Sequence, residues 1–173
     1  VIEDHRRPSA PGTADRPVSD AAPIGGWRDN LVEDDERVLD LLASVRRIAV
    51  LGIKPEFRSP KPAFTVPEYL QREGYEIVPV PVYYPTVTEI LGQPVYRTLA
   101  AVPGEVDLVD VFRRPRDIPP HVADIVAKRP RVVWFQLGIR EDRAAREIAE
   151  AGILVVQDRC TAIEHRRLRS RRR

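Results

Sequence analysis

Sulfur and imidazole are scarce in this sequence. Its 173 residues include one cysteine, Cys160, and three histidines, His5, His121 and His165. A single thiol excludes an intrachain disulfide framework and a clustered thiolate zinc site. Three histidines leave little from which to build a protein metal centre, so no metal ligands are assigned. No apolar run approaches the roughly 20 residues of a membrane-spanning helix. The opening Val1-Ile2-Glu3-Asp4-His5 is too acidic and polar for a secretion signal, so a cytoplasmic location is expected. Glycine is also missing where one ligand class needs it. After Gly52 none occurs until Gly74, which removes the spaced-glycine fingerprint of dinucleotide sites. No internal repeat is found.

What remains is the composition of a soluble globular protein, 43% hydrophobic and 31% charged, with enough chain for one substantial core. The net charge of +2 hides an asymmetry: without Arg166, Arg167, Arg169, Arg171, Arg172 and Arg173 it becomes −4. A mildly acidic body argues against a nucleic-acid-binding face. Residues 166–173 read as a solvated arginine-rich tail with no aromatics interleaved for base stacking. Residues 1–28 are rich in Pro, Gly, Asp and Arg without apolar periodicity, which predicts a flexible arm pinned at its end by Trp27. The folded domain is expected over 29–165.

Within that domain, Leu31, Val38, Leu41, Leu42 and Val45 share one helical face, with Asp29 or Asn30 as the cap. The run Ile48-Ala49-Val50-Leu51 is a first strand. Ala63, Val66, Tyr69 and Leu70 then recur at helical spacing up to Gly74, with Pro67 either in the first turn or interrupting the helix. A second strand, Glu76 to Val80, tolerates Pro79 only if the missing N–H points away from a partner. Glu89 to Gly92 reads as a short helical turn. A third strand, Leu108 to Phe112, precedes a helix beginning near Pro119-Pro120. A fourth, Val132 to Phe135, precedes a helix carrying Ala144, Ala145, Ile148 and Ala149, and Ile153 to Val156 is the fifth. Strands alternating with helices predict an α/β, three-layer domain around a central parallel sheet of about five strands.

Ligand groups in such sheets come from residues just after the strands' carboxyl ends. The candidates are Gly52, Ile53, Lys54, Arg58, Ser59, Pro60 and Lys61 after the first strand, and Val80, Pro81, Val82 and Tyr83 after the second. Phe112, Arg113, Arg114 and Pro115 follow the third, and Gln136, Leu137 and Gly138 the fourth. Arg58, Lys61, Arg113 and Arg114 converge as cations suited to a polyphosphate. The tyrosines after the second strand suit one side of an adenine slot. Catalysts are wanting. Cys160 reads as a small core residue and His165 as solvent-exposed beside the arginines. Asp107, Asp110, Asp158 and Glu164 follow no catalytic spacing, so no catalytic residue is assigned and binding is favoured over turnover.

Four ordered segments carry a resemblance: Ile48-Ala49-Val50-Leu51-Gly52, Val109-Asp110-Val111-Phe112-Arg113-Arg114, Val133-Trp134-Phe135-Gln136-Leu137-Gly138 and Gln157-Asp158-Arg159-Cys160. From Ile48 to His165 the chain resembles the small single-domain CoA-binding proteins related to the CoA-binding domain of the succinyl-CoA synthetase alpha subunit. The resemblance implies a Rossmann-like domain that binds coenzyme A or an acyl-CoA over the strand ends without an established reaction. It would put Gly52 and Ser59 to Lys61 near phosphates, Val80 and its successors beside adenine, and Phe112 to Pro115 with Gln136 to Gly138 along the rest of the crevice. The phosphohistidine centre and further domains of the synthetases have no counterpart in this sequence. Where the family usually has a Val-Asn-Pro-like turn, this chain has Val80-Pro81-Val82, which removes a side-chain donor and acceptor. The alternatives are an NAD(P)-dependent oxidoreductase and a structural or regulatory protein with a closed, vestigial crevice. A homo-oligomer is compatible with the open edges of such a sheet.

Overall fold

The structure, a computed structural model, describes residues 26–171. Residues 1–25, which hold most of the expected flexible arm, and residues 172–173 lie outside the described residues. Five parallel strands form the central sheet in the order β2-β1-β5-β6-β7: β1 (Arg47–Leu51), β2 (Glu76–Val80), β5 (Leu108–Val111), β6 (Val132–Phe135) and β7 (Leu154–Val156). Helices α1 (Asp35–Ser44), α2 (Pro62–Arg72), α3 (Val122–Lys128), α4 (Asp142–Glu150) and α5 (Thr161–Arg171) cover it. A separate antiparallel pair, β3 (Glu89–Ile90) and β4 (Gln93–Pro94), follows β2. The three-layer, Rossmann-like α/β fold is the one expected from the alternation of strands and helices.

Side-chain alternation along each strand assigns the layers. Ile48 and Val50 join Ile77, Leu108, Val132, Trp134 and Val156 against α1, α2 and α5, where Val38, Leu42, Val66, Leu70 and Ala162 meet them. Ala49 and Leu51 point to the opposite face with Val78, Val109, Val111, Val133 and Phe135, under Ile125 of α3 and Ala144, Ala145 and Ile148 of α4. Each large side chain fully removed from water contributes roughly 1.5–3 kcal/mol. Pro79 fits because β2 is an edge strand. Its carbonyl accepts from Tyr96 N at 2.9 Å on the side away from β1, so the missing N–H also falls on the open side.

The structure corrects several local expectations. The first helix starts at Asp35, and its cap is Asp34, whose carboxylate accepts from Arg37 N at 2.8 Å. Asn30 instead donates to the Ala149 carbonyl at 2.8 Å, and Leu31 forms a parallel bridge to Val155. Trp27 packs against the core with Arg28 and Arg146 over its ring, as expected of a pin. Glu89 to Gly92 is half of a hairpin rather than a helical turn. Leu91 (φ 55°) and Gly92 (φ 68°) both take the left-handed conformation that a two-residue hairpin loop demands.

The largest correction concerns the arginines. Arg166, Arg167, Arg169 and Arg171 belong to α5, not to a solvated tail. Arg167 bridges Asp35 at 2.8 Å and Glu164 at 2.9 Å, Arg169 reaches Glu73 at 2.6 Å, and Arg166 stacks 4.6 Å above the Tyr69 ring. Arg167 and Arg159 together hold the Asp35 carboxyl below its usual range. Leu168 is buried on the inner face of the helix, and so is His165, whose Nδ1 lies 2.9 Å from the Tyr69 hydroxyl. Among the described residues no helix is long and apolar enough to cross a membrane. Truncation after His165 is expected to destabilise the protein by about 2 kcal/mol through loss of Leu168 burial alone. Urea unfolding of the truncated chain checks this, since removal of a solvated tail would leave the midpoint unchanged.

Candidate functional site

The chain leaves β1 towards β2 on one side, and the later strands build outward from β5 on the other. The crevice outside the carboxyl ends of β1 and β5 is therefore a topological switch point. Gly52 closes β1 there with φ +89°, and its N–H donates to the Val80 carbonyl at 2.9 Å. A Cβ at this position would stand 2.5 Å from the Phe112 carbonyl oxygen and 3.1 Å from Arg113 Cδ. Glycine is required because the end of β5 crosses directly over it. The consequence is positional: Arg113 can lie flat across the end of β1.

A second irregularity places Lys54. Pro67 sits inside α2, where it lacks the N–H that would bond the Ala63 carbonyl one turn earlier. That carbonyl accepts instead from Lys54 N at 3.0 Å, which ties the strand-end loop to the first turn of the helix. Pro62 opens α2 at its first position, as suits a residue without an N–H. The expectation that Pro67 marks a helix start or break is thereby corrected, since the helix runs through it.

These devices surround a cavity of about 570 Å³ lined by Lys54, Lys61, Pro62, Ala63, Thr65, Val66, Phe112, Arg113, Arg114, Pro115, Gln136, Leu137, Gly138, Ile139 and Cys160. Cations stand on two sides of it, Lys54 and Lys61 from the β1–α2 loop and Arg113 and Arg114 from the end of β5. The Arg113 side chain is only 11% exposed, with its guanidinium 5.2 Å from the Tyr83 ring centroid and 4.0 Å from Asp117. Its Nε has no hydrogen-bond partner among the described residues. His121 is pushed below its ordinary pKa by burial and by the Arg113 charge. Positive potential thus flanks an otherwise apolar recess.

Beneath this recess lies a buried polar cluster. Asp110, opposite Trp134 in the register of β5 and β6, is fully buried and accepts from Gln136 Nε2 at 2.7 and 2.9 Å. Thr161, the first residue of α5, completes it at 3.3 Å. Burial raises the Asp110 carboxyl to about 7, outweighing the hydrogen bonds from Gln136 and Thr161 that favour its ionised form. Trp134 Nε1 donates to the Arg159 carbonyl at 2.6 Å and so fixes the β7–α5 turn that carries Cys160. The loops after β6 and β7 are joined by Gly138 N to Asp158 Oδ1 at 2.6 Å.

Of the residues expected from sequence, Lys54, Lys61, Phe112, Arg113, Arg114, Pro115, Gln136, Leu137 and Gly138 come together on this cavity. Ile53 and Val80 are core residues and Pro81 is buried, while Arg58, Ser59 and Pro60 lie exposed on the loop outside the cavity lining. Val82 and Tyr83 form an exposed lip with Tyr84 and Phe57, the last two rings meeting edge-on at 5.6 Å. Ile139, at the end of the strand-end segment that starts at Gln136, also lines the cavity, whereas sequence reasoning missed Pro62, Ala63, Thr65 and Val66. A helical register for α2 read from Pro62 would have found these four. It treated Cys160 as core, whereas the residue is half-buried on the cavity wall. Among the described residues no group of three His, Cys, Asp or Glu side chains could hold a metal ion.

The model of the CoA-binding domain family matches residues 46–166, which includes every residue that lines the cavity. The chain belongs to this family. A similar protein is the uncharacterized protein YneT of Bacillus subtilis, 31% identical over 74% of this chain and 91% of that protein. The cell-free ID.343 protein of Thermus thermophilus is 37% identical over 79% of this chain and 99% of its own, with a TM-score of 0.72. A hypothetical protein from Pyrococcus horikoshii is 32% identical over 79% of this chain and 92% of its own, with a TM-score of 0.71.

Two outcomes follow from the geometry. Gly52→Ala is expected to cost at least about 2 kcal/mol, from the left-handed backbone plus the clash with the Phe112 carbonyl. Thermal unfolding checks it, and a Tm equal to the parent's would contradict it. For Asp110, both folded and unfolded chains hold the proton below pH ~4, the folded chain alone holds it between ~4 and ~7, and neither does above. Its contribution therefore makes stability fall as pH rises through that window, by roughly 3 kcal/mol between pH 5 and pH 8 relative to Asp110→Asn. Urea unfolding of both proteins at the two pH values measures the difference, and parallel profiles would contradict it.

Proposed function

We propose that the protein binds coenzyme A or an acyl-CoA in the cavity over β1, β5 and β6, and that it does so without turning it over. The observation that carries this reading is the pairing of cations on both sides of one apolar recess at the switch point, in a chain whose family is defined by a CoA-binding domain. Lys54, Lys61, Arg113 and Arg114, with the first turn of α2, suit the phosphates. The Arg113 guanidinium adds its charge to that side of the recess. Phe112, Val66, Leu137 and Ile139 suit the pantetheine arm, and Tyr83 with its aromatic neighbours suits adenine. The volume is that of a ligand pocket.

Turnover has little to act through. Asp110 lies behind Gln136 rather than on the cavity wall, and His165 belongs to the α5 interface. An NAD(P)-dependent oxidoreductase is the weaker reading, because the spaced glycines that let a pyrophosphate approach a helix are missing. A closed, vestigial crevice fits poorly with an open cavity of about 570 Å³. We place the protein in the cytoplasm, where CoA is available.

Isothermal titration with CoA, acetyl-CoA, NAD and ATP tests the reading: heat is expected with the first two, and no heat from CoA at millimolar concentration would overturn it. Lys61→Ala and Arg114→Ala, both at exposed positions, are each expected to weaken CoA binding by about 5- to 30-fold without changing the melting temperature.

A further inference from the structure

Gln136 is almost wholly inside the protein, at 4% exposure, and yet it lines the cavity. Its Nε2 is fully engaged. It faces both carboxylate oxygens of Asp110, at 2.7 and 2.9 Å, and the Thr161 hydroxyl at 2.7 Å. The Thr161 proton goes to Asp110 Oδ2, 3.3 Å away, which leaves the hydroxyl lone pairs for Nε2. Above about pH 7, where the Asp110 carboxyl is ionised, the amide cannot be turned over, because Oε1 would then stand acceptor against acceptor. Oε1 itself has no hydrogen-bond partner among the described residues. Nor is it sealed in the core, since the buried side-chain atom left without a partner is Arg113 Nε. The open space beside Gln136 is the cavity.

We propose that Gln136 is the specificity residue for the uncharged arm of the ligand, presenting a locked acceptor, Oε1, to an amide N–H of pantetheine. This rests on the CoA reading above and adds to it the polarity of one contact. Phe112, Leu137 and Ile139 surround the position with apolar side chains, so a ligand group lacking a donor would leave Oε1 dehydrated and unpaired. Asp110 and Thr161 are positioning residues: they touch no ligand and act by fixing which end of the Gln136 amide faces it. Because the donor lies on the arm and not at the thiol, CoA and acetyl-CoA respond alike.

The test is titration at pH 8 with CoA and with phosphoadenosine diphosphate, the nucleotide half of CoA that lacks the arm. Removing some of the polar partners would strand the rest in the core, so the variant is the triple substitution Asp110→Leu, Gln136→Leu, Thr161→Val. CoA affinity is expected to fall roughly tenfold while that of phosphoadenosine diphosphate stays constant. Equal losses for both ligands, or no loss for either, would overturn the assignment. Absence of CoA binding to the unmutated protein would instead remove the reading beneath it. A second measurement needs no variant: the ¹³C resonance of the Gln136 side-chain carbonyl in the labelled parent protein is expected to shift on saturation with CoA and not with phosphoadenosine diphosphate. The same shift with both ligands, or none with either, would contradict the proposal.

Discussion

At the carboxyl end of β1 the protein has room for a hydrogen atom and nothing larger. The Phe112 carbonyl passes so close above Gly52 that a Cβ would sit 2.5 Å from its oxygen. That approach lets the chain leave β5 across the end of its neighbour, laying the Arg113 side chain over β1 with its guanidinium against Tyr83. The same strand end is held from the other side by Lys54 N on the Ala63 carbonyl, an acceptor that is free because Pro67 supplies no N–H to it. Two residues often regarded as disruptive, a left-handed glycine and a proline within a helix, thus set the width of the cavity and the position of two of its cations.

Charge in this molecule is sorted by role. The arginines of α5 pair with Asp35 of α1 and with Glu73 just after α2, and bind the last helix to the body. Exposed pairs of this kind are each worth little, but here they accompany a buried Leu168 and a buried, doubly paired Glu164. The cations around the cavity include Arg113 Nε, which has no partner among the described residues. Below them, Asp110 is held in the core, and burial raises its carboxyl to about 7. A charge so placed weakens the fold, and its hydrogen bonds to Gln136 and Thr161 offset only part of that loss. What it does in return is orient Gln136.

Much of this was legible before any coordinates. The apolar runs Ile48 to Leu51 and Val132 to Phe135, alternating with helical segments, were enough to give a three-layer parallel sheet, and Pro79 required that its missing N–H face away from a partner strand. The cations after β1 and β5 were found because strand ends are where such sheets place ligand groups. Other features depend on tertiary partners that sequence does not name. Residues 166–173 read as a tail because their charge was counted without Asp35 and Glu73, distant in sequence, and without Glu164, one helical turn before Arg167. Leu91 gave no sign of its positive φ, so the β3–β4 hairpin read as a helical turn. Ile53 and Val80 were assigned to the ligand because they sit next to strand ends, yet both side chains turn into the core. Asp110 was noticed, but neither its pairing with Gln136 nor its burial could be inferred from spacing.

The central claim is spatial: one cavity, assembled by the Gly52 crossing and the Pro67 gap, receives a ligand whose charge meets Lys54, Lys61, Arg113 and Arg114 and whose neutral arm runs past Gln136. A crystal structure of the protein saturated with CoA tests it most directly. The account predicts phosphate density within hydrogen-bond distance of those cations and the pantetheine arm against Gln136. Well-ordered CoA bound elsewhere, such as on the arginine face of α5, with the cavity over β1 and β5 empty, would contradict it.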